Sequence, residues 1–469
     1  MTTQTLDVIV IGAGPAGEVL AGRQADKGYE VAIVESGLVG GECSYYACMP
    51  SKALLRPAQA LAEARRVPGA TEAIAGRLDV AAVLDRRDAI VGRLDDAGQL
   101  PWLESRGIEL IRGHGRLEGE RRVRVGADLY EARLAVVIAV GTAATLPPIP
   151  GLTDSAPWTN RELTNAEQIP DRLVVLGGGV VGVEMADAFS SLGSRVILVE
   201  SEQRLISREE PFASEELRQA LSRRGVDIRL GVRAERVSRD DGLVRVELGD
   251  DLTVDSDEIL VAVGRRPLTD ELGLETVGLE PGKFVEVDDR LQVPGIPWLY
   301  AIGDANGRSL LTHTGKHQAH VASEVIDGRG YAGIGEGTAV PRVIFTEPQI
   351  AAVGLTLEDA IKAGLDARAY DVPTSGTAGA SFYGRNTPGT SRIVVDEARG
   401  LLVGATFTGS DVADWLHAAT IATVGQIPIE RLWDAIPAFP ARSEIWLKLL
   451  ERRESELAAE QRTGDTLAA

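Results

Sequence analysis

Asp7-Val8-Ile9-Val10-Ile11-Gly12-Ala13-Gly14-Pro15-Ala16-Gly17 is the run on which the reading of this chain turns. Val8 to Ile11 is apolar without alternation, as in a strand buried on both faces. Gly12 allows a tight turn, Gly14 lets backbone approach a pyrophosphate, and Gly17 lets helix close on strand. A helical pattern follows (Val19, Leu20, Ala21), then a second apolar strand, Val31 to Val34, ending at Glu35. The helix N-terminus faces phosphates, and Glu35 is placed to accept hydrogen bonds from a ribose. A glycine fingerprint bracketed by two strands, with an acid closing the second, is a specific signal for a dinucleotide.

The device recurs. Leu173 to Leu176 leads into Gly177-Gly178-Gly179-Val180-Val181-Gly182, then a helix, then Arg195 to Val199 ending at Glu200. Gly177, Gly179 and Gly182 repeat the roles of Gly12, Gly14 and Gly17, and first glycine to acid is 23 residues in both copies. Each copy closes on a further strand, Val136 to Val140 before Gly141 and Ile259 to Val263 before Gly264. Two such units imply two nucleotides, with FAD and a nicotinamide the usual pairing.

Composition bounds the partners. The chain has 469 residues, room for about three domains, and 44% are hydrophobic. A net charge of −20 argues against nucleic acid and anionic membranes. No apolar run reaches the roughly 20 residues that span a bilayer. The first strand begins almost at Met1 with no basic leader, so the expected location is the cytoplasm.

The first copy is longer than the second because of Gly40-Gly41-Glu42-Cys43-Ser44-Tyr45-Tyr46-Ala47-Cys48-Met49-Pro50-Ser51-Lys52-Ala53-Leu54 and the helical segments after it, Ser51 to Arg66 and the charged run Val80 to Arg106. Cys43 and Cys48 are the only cysteines. Five residues of helix rise about 7.5 Å, whereas a disulfide needs Cα atoms within about 7 Å. A bonded pair therefore requires a distorted segment, with a proper helix only from about Pro50, a residue suited to a first turn. Cys48 then lies at a helix N-terminus, where a thiolate is favoured. Spacing alone leaves a structural bridge, a coincidence and a redox couple all open, although a cytosolic protein rarely keeps a merely structural disulfide.

Gly-Gly-x-Cys-x4-Cys-x-Pro-Ser-Lys resembles the redox-active disulfide of the flavoprotein disulfide reductases, a family that includes dihydrolipoamide dehydrogenase, glutathione reductase and mercuric reductase. Trp298 to Ala305, with Gly303-Asp304, resembles the family's second flavin motif, whose Asp binds the ribityl chain of FAD. Pro341 to Leu355 resembles the start of its C-terminal interface domain. The resemblance covers about 450 residues. It implies an α/β fold with two Rossmann-like dinucleotide-binding domains and an α+β C-terminal dimerisation domain, and hence a homodimer. The expected divisions are 1–150 and 273–337 for FAD, 151–272 for NAD, 338–457 for dimerisation and 458–469 as a loose tail. It further implies that Cys48 faces the flavin, that Cys43 attacks the substrate, and that Lys52 and Glu184 meet near the flavin edge. Gly12, Gly14, Gly17, Glu35, Gly141, Gly303 and Asp304 are then FAD residues, and Gly177, Gly179, Gly182, Glu200 and Gly264 serve the nicotinamide. No resident metal is expected.

Two departures bear on chemistry. The family's disulfide-exchanging members carry His-Pro-x-x-x-Glu near the C-terminus, reaching into the partner's active site. Here the run is Phe439-Pro440-Ala441-Arg442-Ser443-Glu444, and none of the five histidines (114, 313, 317, 320, 417) falls in it. General acid–base help is worth about 10²–10⁴-fold, so efficient ordinary disulfide exchange is in question and Glu444 becomes a structural residue. The family's usual Thr-Cys-x-Asn-x-Gly-Cys is also altered, with Glu42, Tyr45 and Tyr46 in it. One reading makes Tyr45 or Tyr46 the missing proton donor, but a phenol of pKa near 10 is a poor base, so the tyrosines are expected to pack against the flavin domain or line a pocket. Glu200 repels a 2′-phosphate and favours NADH, while Arg204 and Arg208 offer a phosphate an alternative.

The expectation is a FAD-dependent NAD(P)H oxidoreductase passing electrons through Cys43–Cys48 to a small disulfide or thiol. A quinone or metal-ion reductase on the same fold is the alternative, since such acceptors need no thiol proton shuttle. Mercuric reductase itself is disfavoured by the lack of a second cysteine pair. A binding component of a multienzyme dehydrogenase complex is a third reading, with no docking segment visible.

Overall fold

The structure is a computed structural model that describes residues 3–249, 252–330, 337, 339–384 and 387–468, with side chains as far as residue 462. The boundary expected at Thr338 lies outside the described residues.

The glycine run Gly12–Gly17 links strand Thr3–Ile11 to helix Pro15–Asp26, and the chain then enters strand Val31–Glu35. These strands pair in parallel with Glu109–Arg112 on one side and Asp128–Ile138 on the other, and Ile296–Ala301 joins beyond, with Leu299 opposite Val136. Both faces are buried. Ile9, Ile11, Val34, Val136 and Ile138 fill one face, and Val8, Val10, Ile33 and Val137 pack on the other against Leu20 and Ala21.

The second glycine run builds the same thing. Strands Asp227–Leu230, Arg195–Glu200, Arg172–Leu176 and Glu258–Val261 form a parallel sheet in that order. The order matches the first sheet: third strand, second, first, last. Each unit inserts an antiparallel meander before its last strand is complete, Gly115–Leu117 with Arg122–Val125 in the first and Ala234–Asp240, Leu243–Leu248 and Leu252–Ser256 in the second. Steric limits match too. A Cβ on Gly12 would meet the Ala139 carbonyl oxygen at 2.4 Å, and one on Gly177 the Ala262 oxygen at 2.4 Å. A Cβ on Gly17 or Gly182 would sit 2.0 or 1.8 Å from the carbonyl oxygen of the first glycine in its own run.

The two units are laced together where their last strands end. Thr142–Ala144 pairs antiparallel with Arg265–Pro267, and Gly141 and Gly264 supply the flanking carbonyls to Leu268 and Thr145.

The third unit is a five-stranded antiparallel sheet in the order Arg342–Ile344, Gln349–Gly354, Leu401–Gly409, Thr390–Asp396, Ala367–Pro373. Helices Leu416–Val424 and Ile445–Ala468 cover it, with Phe407 packed edge-on to Trp415 and Trp446. A 3₁₀ turn, Val412–Trp415, leads into the α-helix that starts at Leu416. The final helix runs on through Ala468, so 458–468 are helical instead of a loose tail. Ala, Leu, Glu, Gln and Arg in that stretch are strong helix formers and sustain it.

A short segment ties all three units to the cysteine-bearing helix. Phe345 gives its N–H to Glu184 (2.9 Å) and its carbonyl accepts from Gln59 (2.7 Å). Glu347 gives its N–H to Asp187 (2.9 Å), and its carboxylate pairs with Arg66 (2.6 Å). Burial pushes Asp187 up to about 6, against the opposing charge of its ion-pair partner Arg224. Removing one partner from a buried pair leaves an uncompensated charge. Arg66→Met is therefore expected to cost on the order of 3 kcal/mol, read as a fall in melting temperature that Arg66→Lys restores in part. An unchanged melt would mean the joint is not held by this pair.

Candidate functional site

The cysteine segment is a short helix, Gly41–Tyr45, a break at Tyr46 and Ala47, and a long helix, Cys48–Arg66. The long helix starts at Cys48, two residues before the expected Pro50. The break does the bending, so Cys48 itself can take helical geometry, and Pro50 still lies in the first turn where no N–H partner is lost. The sulfurs are unbonded thiols, each half-buried and hydrogen-bonded to the other.

The sulfurs are electrically unequal. Cys48 is pulled down to about 6 by the hydrogen bond from Cys43, helped by Thr312 and the Lys52 ammonium, against burial. Thr312 Oγ1 is 3.4 Å from Cys48 Sγ. Cys43 is pushed up, first by its hydrogen bond to Cys48 and then by burial. The reduced pair thus holds one proton on Cys43 and one negative charge on Cys48. Lys52, one turn along from Cys48, meets buried Glu184 at 2.7 Å and lies 4.8 Å from the Phe345 ring centroid.

Sequence reasoning placed Lys52 and Glu184 but missed their supports. Thr312, Gln59 and the Phe345 backbone carry no recognisable spacing signal, because each arrives from a distant part of the chain. It also missed a polar string beside Cys43. Asp304 accepts from Thr142 Oγ1 (2.7 Å), which accepts from Arg265 Nε (2.7 Å). Arg265 also reaches Glu42 (3.4 Å), and Glu42 pairs with Arg161 (2.9 Å). Burial raises Asp304. Asn160 and Thr164 bind the Tyr46 carbonyl (2.8 and 3.2 Å), and Arg161 lies 4.6 Å over the Tyr46 ring. Tyr45 is buried, which raises its phenol, so both tyrosines are packing groups.

The glycine runs fit dinucleotides. Helices Pro15–Asp26 and Val180–Ser191 are capped by Gly14 and Gly179 without a side-chain hydrogen bond, and nothing lies within 4 Å of a Cβ built on either. Their first N–H groups therefore open onto space a phosphate can fill. Glu35 accepts from Ala13 N (2.7 Å) and Gly37 N (2.6 Å), and Glu200 from Gly178 N and Glu202 N at the equivalent places. A cleft of about 620 Å³ runs from Gly12 and Glu35 past His114 to Asn160 and Arg266. Gly303, whose N–H is held by Gln318 (2.6 Å), and Asp304 are joined to Gly141 through Thr142. Arg204 is spent on the carbonyls of Ser207 and Glu209, both at 2.7 Å.

Phe439 is 75% exposed, and Ile436, three residues before it, is exposed too. Glu444 Oε2 is buried and has no hydrogen-bond partner among the described residues. Arg442 lies between the rings of Tyr383 (4.2 Å) and Trp415 (4.1 Å).

Residues 6–324 match the pyridine nucleotide-disulphide oxidoreductase family, and residues 340–450 match its dimerisation domain. The chain is 34% identical over 450 residues to a dihydrolipoyl dehydrogenase of Thermus scotoductus, covering 94% of this chain and 96% of that one. It is 30% identical over 445 residues to a mercuric reductase of Lysinibacillus sphaericus, covering 93% and 81%. Among solved structures it is similar to the Cu(II) complex of the HOCl-induced flavoprotein disulfide reductase RclA from Escherichia coli, with a TM-score of 0.85, 26% identity, and 96% and 99% coverage.

In the reduced protein, ultraviolet thiolate absorbance should disappear as pH falls through about 6. Lys52→Met and Thr312→Val each remove a group that favours the anion, so each should move the midpoint up, by about one unit for the lysine. Midpoints that stay put would assign the low value to something other than these side chains.

Proposed function

The chain belongs to the pyridine nucleotide-disulphide oxidoreductase family, whose members are FAD-dependent and driven by NAD(P)H, and we propose that it moves electrons from NADH to a small disulfide that meets Cys43. The observation that carries this is the unequal pair. Cys48 holds the charge beside Thr312 and Lys52, and Cys43 keeps the proton and the role of the exchanging thiol. FAD, when bound, supplies the two-electron carrier between nicotinamide and the cysteines. The residues that hold it are Gly12, Gly14, Gly17, Glu35, Gly141, Gly303 and Asp304, and Gly177, Gly179, Gly182, Glu200 and Gly264 hold the nicotinamide.

Lys52 and Glu184 keep the approach to Cys48 ordered. Lys52 is anchored on Glu184, and Glu184 on the Phe345 backbone, so the ammonium stays beside the sulfur without being consumed. NADH is favoured over NADPH on two grounds. The Glu200 carboxylate, held by the Gly178 N–H at the end of its strand, would repel a 2′-phosphate, and Arg204 is tied to carbonyls of its own loop. The active form is a homodimer built through residues 340–450, and the compartment is the cytoplasm, where NADH keeps such a pair reduced.

Phe439 supports a second reading. An exposed phenyl ring stands where the family's disulfide exchangers place an imidazole, and a structurally similar reductase is known as a Cu(II) complex. A metal ion or quinone needs no thiol protonation, so the same dithiol or the flavin would serve it.

The test is a turnover screen on the purified flavoprotein, with Cys43→Ser in parallel. Lipoamide, glutathione disulfide and an aromatic disulfide are compared with quinones and Cu(II), and NADH with NADPH. Fast disulfide turnover that Cys43→Ser abolishes is expected, with NADH at least about tenfold ahead in kcat/KM. Fast quinone turnover indifferent to Cys43 would overturn the disulfide reading and leave a diaphorase. Copper turnover lost with Cys43 would select the metal-ion reading.

A further inference from the structure

Two ammonium groups bear on the pair. Lys52 favours the Cys48 thiolate, and Lys316 adds its pull toward the Cys43 thiolate behind the larger one of the Thr312 hydroxyl. Lys316 lies on helix Thr312–Ile326, four residues after Thr312. Residues four apart share a helix face, so the face that brings Thr312 within 3.4 Å of Cys48 Sγ also carries Lys316. That turn is held firmly. A Cβ on Gly315 would meet Ala16 Cβ at 3.1 Å and Gly303 Cα at 3.2 Å, so the helix is pressed onto the first glycine turn.

Lys316 is exposed, and among the described residues it has no hydrogen bond or ion-pair contact. Across from it on helix Pro15–Asp26 is Glu18, pushed up to about 7 by burial, against the pull of Lys316. Lys316 is thus not neutralised by a bonded carboxylate. The neighbouring histidine is engaged elsewhere, since His313 Nε2 donates to the Pro341 carbonyl oxygen at 2.8 Å. The charges that act on the pair are Lys52 and Glu184 at Cys48 and Lys316 at Cys43, while Glu18 itself feels Lys316 and Glu35.

We propose that Lys316 is the positioning charge of Cys43, stabilising the thiolate it must form in the absence of a histidine at 439, and that it selects disulfides bearing an anionic group next to the reacting sulfurs. This rests on the disulfide reading above.

The exchange then needs no external base. The shared proton moves along the hydrogen bond from Cys43 to Cys48, leaving the Cys43 thiolate within the field of Lys316. That thiolate attacks one sulfur of the substrate disulfide; a Cys43–substrate S–S bond forms and the substrate S–S bond breaks. The departing thiolate takes the proton from Cys48. The Cys48 thiolate so formed attacks Cys43 sulfur, closing Cys43–Cys48 and releasing the second substrate half as a thiolate. Two electrons have passed from the cysteine pair to the substrate, and NADH restores the pair.

The test uses the intact reduced flavoprotein and two readouts. The first is the pH dependence of iodoacetamide labelling at Cys43, located by mass spectrometry. Lys316→Met and Lys316→Gln should lower labelling at neutral pH about tenfold, equivalent to one unit of thiol pKa, and Lys316→Arg should restore it. The second is the ratio of kcat/KM for a dianionic aromatic disulfide to that for cystamine, a dication, which should fall about tenfold in both neutral variants. Flavin content and melting temperature report folding, and two neutral variants guard against one failing. Labelling that is unchanged in both neutral variants, or an unchanged charge ratio, overturns the proposal. Should wild-type protein turn over no disulfide, the functional reading above falls, while the labelling profile still decides the role of Lys316.

Discussion

The ammonium beside Cys48 hangs, through Glu184, from a joint built on two main-chain amides. The N–H groups of Phe345 and Glu347 bind Glu184 and Asp187, one helical turn apart on the nicotinamide unit's first helix. From the other side, Gln59 and Arg66 reach the same two residues from the helix that begins at Cys48. One short segment of the third unit is therefore the common joint of three folded bodies. Buried amides must find acceptors, and buried carboxylates must find donors. Here each satisfies the other, so the joint holds by mutual need as well as by attraction. Glu184 feels this most directly, since the same carboxylate that anchors the third unit also anchors Lys52 beside the reactive sulfur.

The two nucleotide units show how far one local solution can be reused. The same strand order, closely matching clash distances behind the first and last glycines, and the same carboxylate bridging the amide after the first glycine to a turn amide occur twice. They diverge in what is inserted. The first unit interrupts its repeat with the cysteine helix and the helices Val80–Ile90 and Leu100–Glu104, and Arg87 fastens that insertion to the carbonyls of Thr164 and Ala166. The insertion is thus pinned to the opposite unit as well as to its own.

The fold was legible because its signals are local. Glycine spacing, an unbroken apolar strand and a terminal acid lie within a few dozen residues of one another, and the repeat doubles their weight. Strand ends drifted by a few residues, as with Asp128–Ile138 against the expected 136–140, because pairing with a meander extends a strand past its apolar stretch. The site was legible where chemistry forces a motif: Cys43, Cys48 and Lys52 are spaced by one helix start. Thr312, Arg265, Asn160 and the Phe345 amide were not, since their meaning lies in contacts between segments more than a hundred residues apart. The tail was misjudged for a different reason. Small and charged residues read as loose chain, yet the same residues are good helix formers once a preceding helix supplies the nucleus.

The amide joint also has an evolutionary side. Three of its contacts are made by main chain, whose carbonyl every amino acid provides and whose N–H every one but proline does. At position 345 the N–H and carbonyl would survive almost any substitution, so drift there leaves the joint whole. The burden of heredity falls instead on the acids at 184 and 187 and the donors at 59 and 66, which have no stand-in. A lineage can thus rework the surface around the third unit, and with it the entrance to the site, while inheriting the geometry of the sulfurs unchanged.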